Sequence, residues 1–398
     1  MAAREIPSVV ISSLDRRRLS LVVRGFLYAA ISTGLIGCWQ FATVNYNYSG
    51  NWTALFRTTE GRPQPPQIAE KLYTFSPGSS FDGQFYHYIA HDPLFRRGMA
   101  RYVDLPRLRY GRILVPALAY LSAMGQDRGI DIAYFAMLLL SVFIGTYWLC
   151  ELAGELNVHP AWGMCFALIP SVIMSANLAT IDAPLTALCV GFALHLRRNT
   201  TLALYAILAL APLVRESGML LIIGYLIALA VRRDYFRAAI ASSAAIPCIA
   251  WSIFVMYNTR PDRLLRVHPV PFLSVLQAFA AHEYQSGVTH AIHIVALISL
   301  WSCFPLSIFL ARQRRWQPTT VVAVLFSGLG AVVLSTPDWH RVNDFARVFS
   351  PLLLLIAIEG VAVRWWWTVL PLALSAFATS LLLGEQVLGI FRRLITGT

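Results

Sequence analysis

Apolar runs of about 15 to 23 residues recur from Leu21 toward the C-terminus, and about 20 apolar residues carry a helix across a bilayer. Short polar or arginine-bearing segments separate them. The rhythm predicts an all-α polytopic membrane protein of about eleven transmembrane helices. They are expected at 21–43, 131–150, 160–177, 183–197, 200–214, 217–231, 238–257, 290–310, 318–335, 346–363 and 366–384. The whole chain, 1–398, then forms a single membrane domain with a long loop over 45–130 and a second over 258–289. The stretch 112–125 is apolar but short and contains Pro116, which predicts an interfacial segment rather than a crossing. The first run is too long for a signal-peptide core and lacks an Ala-x-Ala cleavage pattern, so it is read as the first span.

Composition agrees. Residues are 57% hydrophobic and 13% charged, against about 25% charged for soluble domains, which excludes an ordinary soluble globule. The net charge of +12 does not point to nucleic acid. Of the 32 basic residues all but Lys71 are arginine, and many form short clusters between apolar runs. Arg197-Arg198, Arg232-Arg233 with Arg237, Arg312 with Arg314-Arg315, and Arg364 share one compartment when the N-terminus is cytoplasmic, as the bias of positive charge toward the inside requires. If 112–125 crossed, those clusters would face outward. The six cysteines show neither metal spacing nor a paired framework and are read as small hydrophobes.

On this topology 14 of the 20 acidic residues fall on the outer face, several at span ends where an ionisable group is a functional-site hypothesis. Four segments concentrate them. Phe81-Asp82-Gly83-Gln84-Phe85-Tyr86-His87 predicts a short helix at the outer surface. Asp82 points inward from its start unless it merely caps the helix, and Gly83 permits close approach by a ligand or another backbone. Asn177–Pro184 places Asp182 at a helix start. Arg215-Glu216 is a charged pair between two spans, either functional or purely structural. Pro337–Arg347 holds Asp338, His340, Arg341, Asp344 and Arg347, of which His340, Asp344 and Arg347 share a helical face; a solvated turn is the alternative. Carboxylates suit general-base work and arginine suits phosphate. No glycine-rich nucleotide loop is present, so a phosphorylated lipid is the natural charged substrate.

FDGQFY at 81–86, RYGRILVPALAYL at 109–121, NLATIDAP at 177–184 and VRESG at 214–218 together resemble the GT-C superfamily of membrane glycosyltransferases. FDGQFY with HDP at 91–93 is also similar to a group of bacterial envelope-glycopolymer proteins. The resemblance covers about residues 20–220 and implies an inverting glycosyltransferase of the bacterial inner membrane. Such an enzyme moves a sugar from a polyprenyl-phosphate carrier to a glycan, lipid or protein acceptor on the periplasmic face. It implies Asp82 as catalytic base, with Arg341, Arg347 or Arg215 on the phosphate and Tyr86, His87 and His340 beside the substrate. Asp92, Asp182, Glu216, Asp338 and Asp344 would support them. Members with an acidic pair in the first loop differ from this chain, where Gly83 follows Asp82. No cofactor is implied with certainty; a divalent metal on His87, His91 or His340 with Asp82 or Asp338 is open. The competing classes are a lipid-linked-sugar transporter or flippase and a non-catalytic assembly protein. A transporter would show internal repeats and broken midplane helices; the sequence shows no convincing repeat, and its polar residues gather toward one face.

Overall fold

The computed structural model describes residues 13–68, 71–262, 270, 272–280, 287–332, 339 and 341–396. The chain is an all-α membrane protein; the described strands are one parallel pair, Thr58–Thr59 with Thr74–Phe75. Helix α1, Ser13–Asn47, ends where Ser49 and Gly50 both turn left-handed, φ 52° and 81°. Its flank exposes Val22, Val23, Phe26, Leu27, Ile31 and Leu35. An apolar face of that extent is costly in water and matches lipid.

The loop between the first two long helices folds into three short ones: α2, Gly83–His91; α3, Pro106–Gly111; and α4, Leu114–Ser122. At 1.5 Å per residue the nine residues of α4 reach only about 14 Å, short of the ~30 Å hydrocarbon core. Helix α2 departs from expectation in one respect. It is buried along its whole length rather than lying at the surface, because the rest of the loop and α5, Asp127–Glu155, enclose it. A side chain at Gly83 would put its Cβ 2.2 Å from the Leu178 carbonyl oxygen and 3.0 Å from that of Phe56. The close partner of Gly83 is therefore another backbone.

Beyond α5 follow α6, Pro170–Leu178; α7, Asp182–Arg198; α8, Thr201–Val214; and α9, Met219–Val231. Later come α10, Tyr235–Ser242; α11, Ile246–Asn258; α12, Leu273–Ala280; α13, Gly287–Gln313; and α14, Pro318–Val332. The chain closes with α15, Val342–Val348; α16, Ser350–Ala362; α17, Leu370–Leu381; and α18, Gly384–Thr396.

Four helical segments among the described residues are long and apolar enough to cross a bilayer, or up to seven if each of three bent pairs is one span. That is fewer than the eleven expected. The difference lies in short elements: α8, α14 and the Glu216–Val231 segment are apolar but of only 14 to 16 residues. Of the cysteines, all free, Cys150, Cys189 and Cys303 are buried as expected, whereas Cys38 and Cys165 are exposed on outward-facing positions.

Candidate functional site

Asp82 occupies the N-cap position of α2 in helical conformation, φ −58° and ψ −29°, and its side chain makes no capping hydrogen bond. The carboxylate is turned instead toward two arginines. Nη2 of Arg347 donates to one oxygen at 2.6 Å, and Nη2 of Arg109 lies 2.9 Å from the other. Arg347, from α15, continues through Nη1 to Asp182 at 3.1 Å, and Asp182 also accepts from Arg215. Nε of Arg215 stands 3.7 Å from Glu216, which accepts a two-pronged pair from Arg112 at 2.7 Å each. Arg112 then donates to the Tyr86 hydroxyl at 2.7 Å, and Arg109 reaches the same hydroxyl at 3.5 Å before returning to Asp82.

These eight side chains close a ring: four guanidiniums, three carboxylates and one phenol. The arginines are 5–8% exposed. Asp104 pairs with Arg109 at 3.0 Å, and Asp344 lies 3.6 Å from Arg347. Burying so many charges is expensive, and such clusters are weak evidence for stability; near a membrane they mark function by default.

The local sequence explains how α2 feeds the ring. The i, i+4 spacing sets Asp82 beside Tyr86 and Phe81 beside Phe85. Phe81 lies 4.8 Å under the Arg347 guanidinium and Phe85 5.1 Å under that of Arg109, contacts that suit weakly hydrated arginine. On the far side, Gly218 allows the Arg215-Glu216 turn to fold against α8: a Cβ there would meet the Ala211 carbonyl oxygen at 2.2 Å. Burial alone would raise the Asp82 carboxyl, but Arg109 and Arg347 outweigh it and hold it well below the usual carboxylate range.

Of the residues singled out from the sequence, Asp82, Tyr86, Asp182, Arg215, Glu216 and Arg347 meet in the ring, with Asp344 at its edge. Arg341 is exposed at the start of α15 and stands outside the ring among the described residues. Asp92 is a turn-former: buried beyond α2, it accepts from the backbone N–H groups of Arg96, Arg97 and Met99 at 2.6–3.0 Å. His87 faces away from the arginines, stacked on Phe56 at 4.0 Å and bonded to Asp131 at 2.7 Å. Asp338 and His340 lie outside the described residues.

Arg109 and Arg112 escaped the sequence reading, which took them as flanks of the interfacial stretch. The available signal was their i, i+3 spacing around Gly111 at the head of the apolar stretch. A second charged group sits at the other end of α7, where Arg198 pairs with Glu151 and Glu155 at 2.6 and 3.0 Å and Arg314 meets Glu359 at 2.8 Å. No protein-family model, curated protein or solved structure matches the chain.

Proposed function

We propose that the chain is an inverting glycosyltransferase that moves a sugar from a polyprenyl-phosphate carrier to an envelope acceptor on the periplasmic face of a bacterial inner membrane. The observation that carries this reading is Asp82 shared between Arg109 and Arg347: one carboxylate fit for proton transfer, clasped by two groups fit for phosphate. With a cytoplasmic N-terminus and α1 as the first crossing, the loop that carries Asp82, Arg109 and Arg112 lies on the outer side.

Between those two guanidiniums Asp82 is a poor base. An entering donor phosphate competes for the same arginines, and each guanidinium it takes from Asp82 raises the basicity of the carboxylate. The acceptor hydroxyl then gives its proton to Asp82 as its oxygen bonds to the anomeric carbon. The bond from that carbon to the phosphate oxygen breaks, and the leaving polyprenyl phosphate keeps its negative charge against Arg347 and Arg215, with Arg109 and Arg112 behind them. Holding donor and acceptor in line contributes several kcal/mol more. Charges gathered at the ends of the bundle favour an enzyme over a carrier, whose polar path runs through the midplane.

The test is mass spectrometry of envelope glycans from cells lacking the protein, complemented with wild type or Asp82→Asn. Wild type restores a missing sugar and Asp82→Asn, made to the same level in the membrane, does not. Full restoration by Asp82→Asn overturns the reading.

A further inference from the structure

Outside the arginine ring, α2 carries a second polar group on another flank. His87 and His91 stand one turn apart, the i, i+4 spacing that brings two imidazoles to one helical face, and they are 1% and 2% exposed. Asp131, on the first turns of α5, faces them. Nε2 of His87 lies 2.7 Å from Oδ1 of Asp131 and 3.3 Å from Nε2 of His91, which is itself 3.5 Å from the same carboxylate oxygen. With metal–ligand bonds of about 2.0–2.1 Å, the edges of a zinc tetrahedron measure about 3.3–3.4 Å. Two of the three edges already have that length, and the third needs to open by about 0.6 Å.

The surroundings orient the same atoms. Nδ1 of His91 meets Asp127 at 2.8 Å, and Asp127 is held by Arg97 through contacts of 2.5 and 2.9 Å. A carboxylate on the far nitrogen fixes the tautomer of a ligating imidazole; here it directs the Nε2 lone pair of His91 toward His87 and Asp131. Phe56 lies parallel to the His87 ring, 6° between planes, and fixes its tilt.

We propose that His87, His91 and Asp131 bind one divalent transition-metal ion of the zinc class. Two imidazoles and one carboxylate select zinc over magnesium or calcium, which take oxygen ligands. The fourth position opens on the side of Asp131, whose side chain is 28% exposed. The ion ties α2 to α5 one turn beyond Tyr86 and thereby holds the helix that presents Asp82, whichever reaction the ring serves.

The full chain, purified without a polyhistidine tag and stripped with a chelator, is titrated with Zn²⁺ by calorimetry and with Co²⁺ by visible absorption. Wild type takes up about one Zn²⁺ per chain, its thermal midpoint rises, and Co²⁺ gives the intense visible bands of a four-coordinate site. His91→Gln and Asp131→Asn each weaken Zn²⁺ binding by 100-fold or more, and Asp127→Asn by about 10–100-fold. No saturable Zn²⁺ uptake by folded wild type overturns the proposal. So does uptake unchanged in His91→Gln; and should either ligand variant fail to fold, the wild-type stoichiometry and cobalt spectrum decide alone.

Discussion

Asp82 touches two guanidiniums that have other partners, Arg109 on Asp104 and Arg347 on Asp182, so its removal loosens the ring without stranding either arginine. Asp82→Asn is therefore expected to cost about 1–3 kcal/mol of stability, while transfer falls by about 10²–10⁴-fold, the worth of a positioned base. Thermal unfolding in detergent and a transfer assay measure the two separately; a stability loss with full transfer removes Asp82 from the chemistry. The pH dependence has a definite sign. The folded carboxyl lies well below its ordinary value, so its contribution to stability is complete above about pH 4–5, the unfolded range, and is lost as pH falls through the lower folded value. The gap in unfolding midpoint between wild type and Asp82→Asn should stay constant from pH 7 to 5 and close only in stronger acid. Asp82 and Tyr86 were readable because four-residue spacing is a local property of one helix. Arg347, 265 residues away from Asp82, and Arg215 stood out as charges at span ends; Arg109 and Arg112 did not, because each looked like any basic residue at a membrane edge.

Helix α2 owes its position to a missing side chain. With the Leu178 carbonyl oxygen 2.2 Å and the Phe56 carbonyl oxygen 3.0 Å from where a Cβ would stand at Gly83, neither neighbour is a flexible side chain that can turn aside. Gly83→Ala is expected to push α2 off α6 and cost about 1–3 kcal/mol or more. Gly34→Ala is the matched control: nothing lies within 4 Å of its Cβ, and alanine gains up to about 1 kcal/mol within a helix. Equal unfolding midpoints for the two variants would mean that the backbone contact at Gly83 is not tight. The existence of α2 was legible from its aromatic and acidic periodicity, but its depth was not. A helix with charged and aromatic residues reads as interfacial; the Asp82 charge is neutralised by Arg109 of α3 and Arg347 of α15, and that neutralisation is what permits burial. The count of eleven spans is not confirmed, for a related reason. Helices such as α8 and α14 are apolar enough to look like crossings yet only 14 and 15 residues long, and apolarity alone does not separate a short buried helix from a spanning one.

Helix α7 links the two charged groups of the molecule. It begins at Asp182 in the arginine ring and ends at Arg198 beside Glu151 and Glu155. Its 17 residues rise about 26 Å at 1.5 Å each, close to the ~30 Å hydrocarbon thickness of a bilayer. The apolar residues of α7 between those ends are nearly all buried, including Leu185, Val190 and Phe192, so no polar path connects the two groups along this helix. An apolar length of that size between them predicts that the two charged groups lie toward opposite faces of the membrane. Single cysteines at Ser79, exposed just before Asp82, and at Thr201, exposed just after Arg198, test it with a membrane-impermeant thiol reagent, once the exposed Cys38 and Cys165 are replaced by serine. In intact cells with a permeabilised outer membrane, Ser79→Cys should label and Thr201→Cys should not; in inside-out vesicles the pattern should reverse. Labelling of both from one side would put the ring and the Arg198 group in one compartment; labelling of Ser79→Cys only in inside-out vesicles would put Asp82 on the cytoplasmic side, out of reach of a donor in the outer leaflet.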